Sequence, residues 1–186
     1  MTERRIILVG GGVRSGKSTY AVARARALGA RRAFLATARP YDDELRERIR
    51  RHQQERAGDF TTIEEPRELA GALARLAGFD VAVIDCVTLW LANQLVDGVP
   101  PAAIEESAAE LAGALRAASC HVIVVTNEVG MGVHPETALG RTFRDLAGRT
   151  HQALARVADE VHLAVLGTLL RLRPGPVEVH FPWEAP

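Results

Sequence analysis

The stretch "GGVRSGKS", Gly11 to Ser18, decides the fold. It follows the apolar run "IILV" and leads into a helix-like "TYAVARARAL", so G-x-x-x-x-G-K-[ST] stands in the strand–loop–helix setting that gives the pattern its meaning. Gly11, Gly12 and Gly16 let the backbone curl until its N–H groups, those of Val13, Arg14 and Ser15 among them, face phosphate oxygens, and the helix that begins there adds its positive dipole end. Lys17 supplies a compact positive charge to the β and γ phosphates, and Ser18 a hydroxyl ligand for Mg²⁺. Lys17 is the only lysine among 23 Lys and Arg residues, and an arginine's planar fork would not replace that point charge. The bland alternative, a glycine-rich turn that merely reverses the chain, leaves the full match in context unexplained.

The second half of such a site is a buried strand ending in a carboxylate. "VAVIDC", Val81 to Cys86, has that form, with Asp85 placed to hold Mg²⁺ directly or through water. Around these two segments apolar runs and helical patterns alternate, which is the signature of parallel strands joined by crossover helices. The pattern predicts strands at 5–9, 33–36, 81–85, 122–126 and 161–166, a short one near 60–63, and a hairpin around Pro174-Gly175. Helices are expected at 17–28, 43–56, 66–76, 89–96, 101–118 and 142–158. The fold class is therefore α/β: a mostly parallel sheet flanked by helices, of the RecA-like P-loop NTPase type, with residues 1–186 forming one nucleotide-binding domain.

Bulk properties narrow the partners. The 186 residues are 47% hydrophobic and 25% charged with a formal net charge of +0, so there is no basic footprint for nucleic acid or an anionic membrane. Small-molecule substrates fit better. No apolar run is long enough for a membrane span or a signal peptide, and the expected location is the cytoplasm. Cys86 and Cys120 have no metal-type spacing and read as small buried hydrophobes.

A phosphate cradle does not name an activity. "RIRRHQQER", Arg48 to Arg56, adds one histidine among four arginines. On a helix Leu45, Ile49 and His52 share an edge, which turns His52 toward the protein, while the i,i+4 pairs Asp42–Arg46, Glu44–Arg48 and Arg51–Glu55 read as a solvated face. From the residues alone His52 is more simply a bystander than a nucleophile.

Four segments in series change that balance. "GGVRSGKS", "ATARPYDDELRERIRRHQQER", "VIDCVTLWLANQL" and "VTNEVGMGVHPETALGRTFRDLAGRTHQALARVADEVHL" together resemble the bifunctional adenosylcobinamide kinase/adenosylcobinamide-phosphate guanylyltransferase family of cobalamin assembly, from about Ile6 to Gly167. The resemblance implies a first step in which a hydroxyl of adenosylcobinamide takes the γ-phosphoryl group of ATP or GTP. In the second, GTP passes its GMP to adenosylcobinamide phosphate through a guanylylated histidine, here His52. It also implies GTP contacts at Thr37, Ala38 and Arg39, at Gln53, Gln54, Glu55 and Arg56, and at Glu64, with Lys17 catalytic, Mg²⁺ on Ser18 and Asp85, and a homotrimer. Each of those contacts has a plainer reading as strand exit, solvated helix or cap.

"TNEVGMGVHPE", Thr126 to Glu136, is a polar loop after an apolar strand, where open α/β sheets put ligand contacts. Glu128 there either orients Mg²⁺ or substrate or braces the loop, and Arg141 and Arg144 are either phosphate clamps or helix-start ion pairs. The chain departs from the family at Ala57 and Phe60, where proline and tryptophan are usual, at His151 in place of asparagine, and in its tail, which carries Trp183. The rival functions are a P-loop kinase with an idle His52 and a nucleotide-dependent switch that modifies no acceptor.

Overall fold

The computed structural model describes residues 4–41, 43–55 and 58–180, without the side chains of Glu44, Leu45, Arg48, Arg51, His52, Glu55, Glu178, Val179 and His180. Fourteen elements follow in the order β1 (Ile6–Gly11), α1 (Lys17–Leu28), β2 (Arg32–Ala36), α2 (Asp43–Glu55), β3 (Thr61–Glu64), α3 (Leu69–Ala74) and β4 (Val81–Asp85). After them come α4 (Val87–Val96), α5 (Pro101–Ala117), β5 (His121–Asn127), α6 (Ala138–Val157), β6 (Glu160–Val165), β7 (Thr168–Arg173) and β8 (Glu178–His180).

The strands make one sheet in the order β3-β2-β4-β5-β1-β6-β7-β8. The first six run parallel, and β7 turns back antiparallel to β6. Val81 to Ile84 and Val122 to Val125 are fully buried, because a parallel strand covered by helices on both faces has no polar side to alternate with. One core, with Leu35, Ile84, Val122 and Val124, packs on α3, α4, α5 and α6. The other, with Ile7, Val9, Val83 and Ile123, packs on Ala21 and Ala25 of α1.

Strand β5 lies between the strand of Asp85 and the strand of the phosphate loop. Its register sets Asp85 opposite Val125 and Val125 opposite Val9. Asp85 and Gly11 thus reach the same carboxyl edge of the sheet, where open α/β folds bind ligands.

The chain differs from its sequence-based reading at three boundaries. Leu166, expected in a strand, has φ 52 and with Gly167 (φ 77) forms the tight turn from β6 to β7, a pair of positive φ values that matches the twist of a two-residue hairpin. Helix α3 starts at Leu69, not Pro66, because the Glu65 carboxylate accepts the N–H groups of Arg67 and Glu68 and holds a turn there. Helix α6 starts at Ala138, not Thr142, with the Thr137 hydroxyl accepting the N–H of Gly140 as an N-cap. The hairpin around Pro174-Gly175 forms as expected, pairing β7 with β8. Of the anticipated ladders on α2, Asp42 and the side chains of Glu44, Arg48, Arg51 and Glu55 lie outside the described residues. Arg46 pairs with Asp43 and Arg50 with Glu47, each three apart.

Helix α1 is fastened to β6 by a polar cluster. Tyr20 stacks on His162 with ring centroids 5.3 Å apart, and Glu160 accepts from Arg5 at 2.9 Å, Arg24 at 3.2 Å and His162 Nε2 at 3.1 Å. These partners, His162 first, hold the Glu160 carboxyl down to about 2. A lowered folded-state value means stability present above the ordinary glutamate range and lost as pH falls toward 2. Glu160→Gln should therefore cost roughly 2 kcal/mol at pH 7, and the difference from wild type in urea melts should shrink as pH drops from about 4.5 toward 2. A pH-independent difference would refute the linkage.

Candidate functional site

The phosphate loop is built by close approach. A Cβ on Gly11 would lie 2.5 Å from the Ala164 carbonyl oxygen and 2.7 Å from Ser15 Oγ, so only glycine lets the loop pass over β6. Gly16 caps α1 at φ 93, and Arg14 also has positive φ at 54, which folds the intervening backbone into a concave nest. Lys17 is 5% exposed and donates from Nζ to the Gly12 carbonyl at 2.9 Å. The buried Ser15 Oγ has no hydrogen-bond partner among the described residues, a donor left over beside a positive helix end. The Gly167 turn leans on this loop, 3.7 Å from where a Gly16 Cβ would stand.

Asp85 and Lys17 both act on Cys86. Burial first and the Asp85 charge second push the Cys86 thiol up to about 11, against the smaller lowering effects of Thr88, Leu89 and Lys17, so the carboxylate and the ammonium both act on one buried thiol that stays protonated. Cys86 and Cys120 are both free and buried, as expected from their setting. Ser18, half-buried at the start of α1, and Asp85, half-buried at the end of β4, are a hydroxyl and a carboxylate of the kind Mg²⁺ takes.

Thr37 is fully buried, and its polar groups are all engaged. Its hydroxyl donates to the Cys86 carbonyl and accepts the Cys86 N–H, each at 2.8 Å, its N–H bonds the Asp85 carbonyl at 3.2 Å, and its carbonyl accepts from Asn93 Nδ2 at 2.8 Å. It ties β2 to the end of β4 and so fixes where Ala38 and Arg39 leave the sheet. Arg39 bonds Asp97 at 2.6 Å, and Asp97 also takes Arg67 at 2.5 Å. The Arg39 bond chiefly holds the Asp97 carboxyl below its usual range.

A cavity of about 570 Å³ opens beside this exit, lined by Ala38, Pro40, Asp43, Arg46, Glu47, Ile49, Arg50, Gln53 and Glu64. Of the residues anticipated from the sequence it unites Ala38, Gln53 and Glu64. Gln54 is exposed on α2, Arg56 and Ala57 lie outside the described residues, and so do the side chains of Glu55 and His52, although α2 runs through both positions. Glu64 stands opposite Ala36, and Ala36 opposite Asp85, so Glu64 and Asp85 are level and two strands, about 10 Å, apart.

Asn93, Asp97 and Tyr41 escaped the sequence reading. Asn93 is fully buried, donates to the carbonyls of Thr37 and Pro66, and accepts from the Tyr41 hydroxyl at 2.7 Å. The available signal was a polar pair, Asn93 and Gln94, inside the apolar run "LWLANQLV". Arg141 donates to the carbonyls of Pro135 and Glu136, and Arg144 contacts His134 and Asp145, so both brace the loop before α6. His151, the odd imidazole of α6, packs inward and meets the Thr126 hydroxyl at 2.6 Å.

A phosphate nest, a level carboxylate and a cavity under a charged helix describe a nucleotide enzyme, and comparison with known proteins fixes which kind. The family model for cobinamide kinase/cobinamide phosphate guanyltransferase, CobU, matches residues 7–172. The chain belongs to this family. The CobU match is supported by the bifunctional adenosylcobalamin biosynthesis protein CobU of Escherichia coli K12, 36% identical over 90% of this chain and 99% of its own length. It is supported again by the protein CobP of Pseudomonas aeruginosa PAO1, 37% identical over 91% of this chain and 98% of its own. Among solved structures the RadB recombinase superposes with a TM-score of 0.50 at 17% identity, covering 94% of this chain and 86% of that one, which marks the RecA-like sheet. The matched region contains both the phosphate loop and α2.

The Arg39–Asp97–Arg67 bridge holds the cavity wall from behind. Asp97→Ala should raise the KM for GTP about 5- to 10-fold while leaving far-UV circular dichroism unchanged. An unaltered KM would mean that the bridge does not position the wall.

Proposed function

We propose that this chain is a bifunctional cobinamide kinase and cobinamide phosphate guanylyltransferase of adenosylcobalamin biosynthesis that works through a guanylylated His52. The observation that carries the reading is the 570 Å³ cavity along α2, which lies on the same sheet edge as the phosphate loop and takes its lining from the helix that bears His52.

In the first reaction a nucleoside triphosphate, ATP or GTP, lies with its phosphates in the nest of Gly11 to Ser18, Lys17 steadies the β and γ groups, and the acceptor hydroxyl displaces the nucleoside diphosphate from γ-phosphorus. In the second the neutral His52 imidazole attacks the α-phosphorus of GTP, the α–β bridging bond breaks and pyrophosphate leaves. An oxygen of adenosylcobinamide phosphate then attacks the same phosphorus and the N–P bond breaks. Adenosylcobinamide-GDP forms and the imidazole is restored. Splitting the transfer spares a direct encounter between two anions. Ala38, Arg39, Gln53 through Arg56 and Glu64 are the proposed contacts of the guanine nucleotide, while Thr37 holds the wall in place.

Mg²⁺ fits Ser18 and Asp85. Among the described residues no cluster of three or more His, Cys, Asp or Glu side chains could hold a metal by itself, and a hydroxyl plus one carboxylate suits an ion that arrives with phosphates and water. When bound it would offset the charge of the phosphates. The partners are small molecules. None of the described helices is long and apolar enough to cross a membrane. The assembly proposed is a homotrimer in the cytoplasm.

GTP labelled in its α-phosphate tests the reading. Wild type should retain an acid-labile, base-stable label, His52→Ala should lose it and slow guanylyl transfer at least about a thousand-fold while still phosphorylating adenosylcobinamide, and Lys17→Ala should lose both reactions. Equal labelling of wild type and His52→Ala would overturn the covalent route.

A further inference from the structure

Phosphorylation of a hydroxyl releases a proton, and neither Asp85, assigned to the metal, nor Lys17, assigned to the phosphates, can take it. A second carboxylate stands at the phosphate loop. Glu128 is the first residue beyond β5, its backbone N–H bonds the Gly11 carbonyl at 3.0 Å, and the β5 register carries it three residues past the level of Asp85. Thr126 and Glu128 both meet His151 of α6, on the opposite face of the sheet from α1. Glu128 therefore stands beside the phosphate loop, on the α6 face of the sheet.

Its two oxygens differ. Oε1 accepts the N–H of Gly130 at 2.5 Å and braces the loop, whereas Oε2 accepts no hydrogen bond among the described residues. Its nearest ionisable neighbour is His151 Nδ1 at 3.9 Å, too long for a hydrogen bond. Burial lowers the His151 pKa, so the imidazole stays neutral near pH 7 and does not cancel the carboxylate charge. The carboxylate is 29% exposed, open to a substrate.

We propose that Glu128 is the general base of the kinase reaction, taking the acceptor hydroxyl's proton on Oε2, with His151 and Thr126 as positioning residues. As the hydroxyl oxygen forms its bond to γ-phosphorus, its O–H electrons remain on oxygen, the proton passes to Glu128, the bond from γ-phosphorus to the β–γ bridging oxygen breaks, and the nucleoside diphosphate leaves with that electron pair. This rests on the kinase half of the function proposed above. The guanylyl transfer needs no such base, because its acceptor is already a phosphate anion.

Glu128→Gln separates the base from the brace, since the amide oxygen still accepts the Gly130 N–H but cannot take a proton. With ATP and adenosylcobinamide, kcat should fall about 100-fold or more, the ATP KM should stay within about twofold, and the acid limb of the kcat–pH profile should vanish. Glu128→Asp should keep that limb at reduced kcat. With GTP and ready-made adenosylcobinamide phosphate the loss should be small, so the ratio of kinase to transferase rate falls by nearly the full factor. A parallel fall of both reactions, or a raised Mg²⁺ requirement, would assign Glu128 to the metal or the loop and overturn the proposal, as would an unchanged kinase kcat. If wild type guanylylates but phosphorylates no cobinamide, the kinase half of the function falls and this proposal with it. If wild type is active and only the Glu128 outcome fails, the function stands.

Discussion

The ammonium group of Lys17 is buried at the positive end of α1, and this is the constraint on which the rest of the structure depends. Removing such a charge from water costs several kcal/mol, and the helix dipole there repels it further. The Gly12 carbonyl accepts a hydrogen bond from Nζ, and the function proposed above adds a triphosphate to that compensation. A loop that buries its cation beside an unused Ser15 hydroxyl is built for an anion before the anion arrives. Gly11 has to lie against the Ala164 carbonyl for that loop to exist, and the Tyr20–His162 and Arg24–Glu160 contacts hold α1 in the matching position.

Around that cradle the sheet order does the remaining work. Because β5 separates β4 from β1, the carboxyl edge presents three different groups in sequence across it: Asp85, the residues that follow β5, and the glycine loop. Further along, Ala38, two residues past the end of β2, and Glu64, the last residue of β3, stand beside the α2 cavity. Thr37 and Asn93 tie these exits to β4 and α4 through fully buried hydrogen bonds, so the glycine loop and the α2 cavity share one rigid edge.

The legible parts of this design were the ones that physics writes locally. Runs such as "VAVID" and "VIVVT" are buried on both faces and could be nothing but inner parallel strands, and the glycines and lysine of the loop carry their own meaning. Capping was harder to read. Glu65 and Thr137 moved two helix starts by three or four residues through bonds that depend on the turn already being formed. The Leu166-Gly167 turn was hidden because a leucine at φ 52 is uncommon and its apolar side chain extends the preceding strand pattern. Asn93 and Asp97 were missed because their partners lie 27 to 58 positions away in the chain, a separation that no window of sequence spans.

In the function proposed above two chemistries share one cradle because they attack a nucleoside triphosphate at different phosphorus atoms. A loop that grips the β and γ groups would leave the α group toward the nucleoside, and α2 lines the cavity proposed for it with none of its described side chains in either core. In the proposed reactions the His52 imidazole comes from the α2 side and the acceptor hydroxyl from beside Glu128 at the end of β5, with Lys17 stabilising the departing charge in both. The division requires the two sides to be set apart by the sheet. Strand β4 stands between β2, after which α2 begins, and β5, which leads to Glu128, and it supplies that separation.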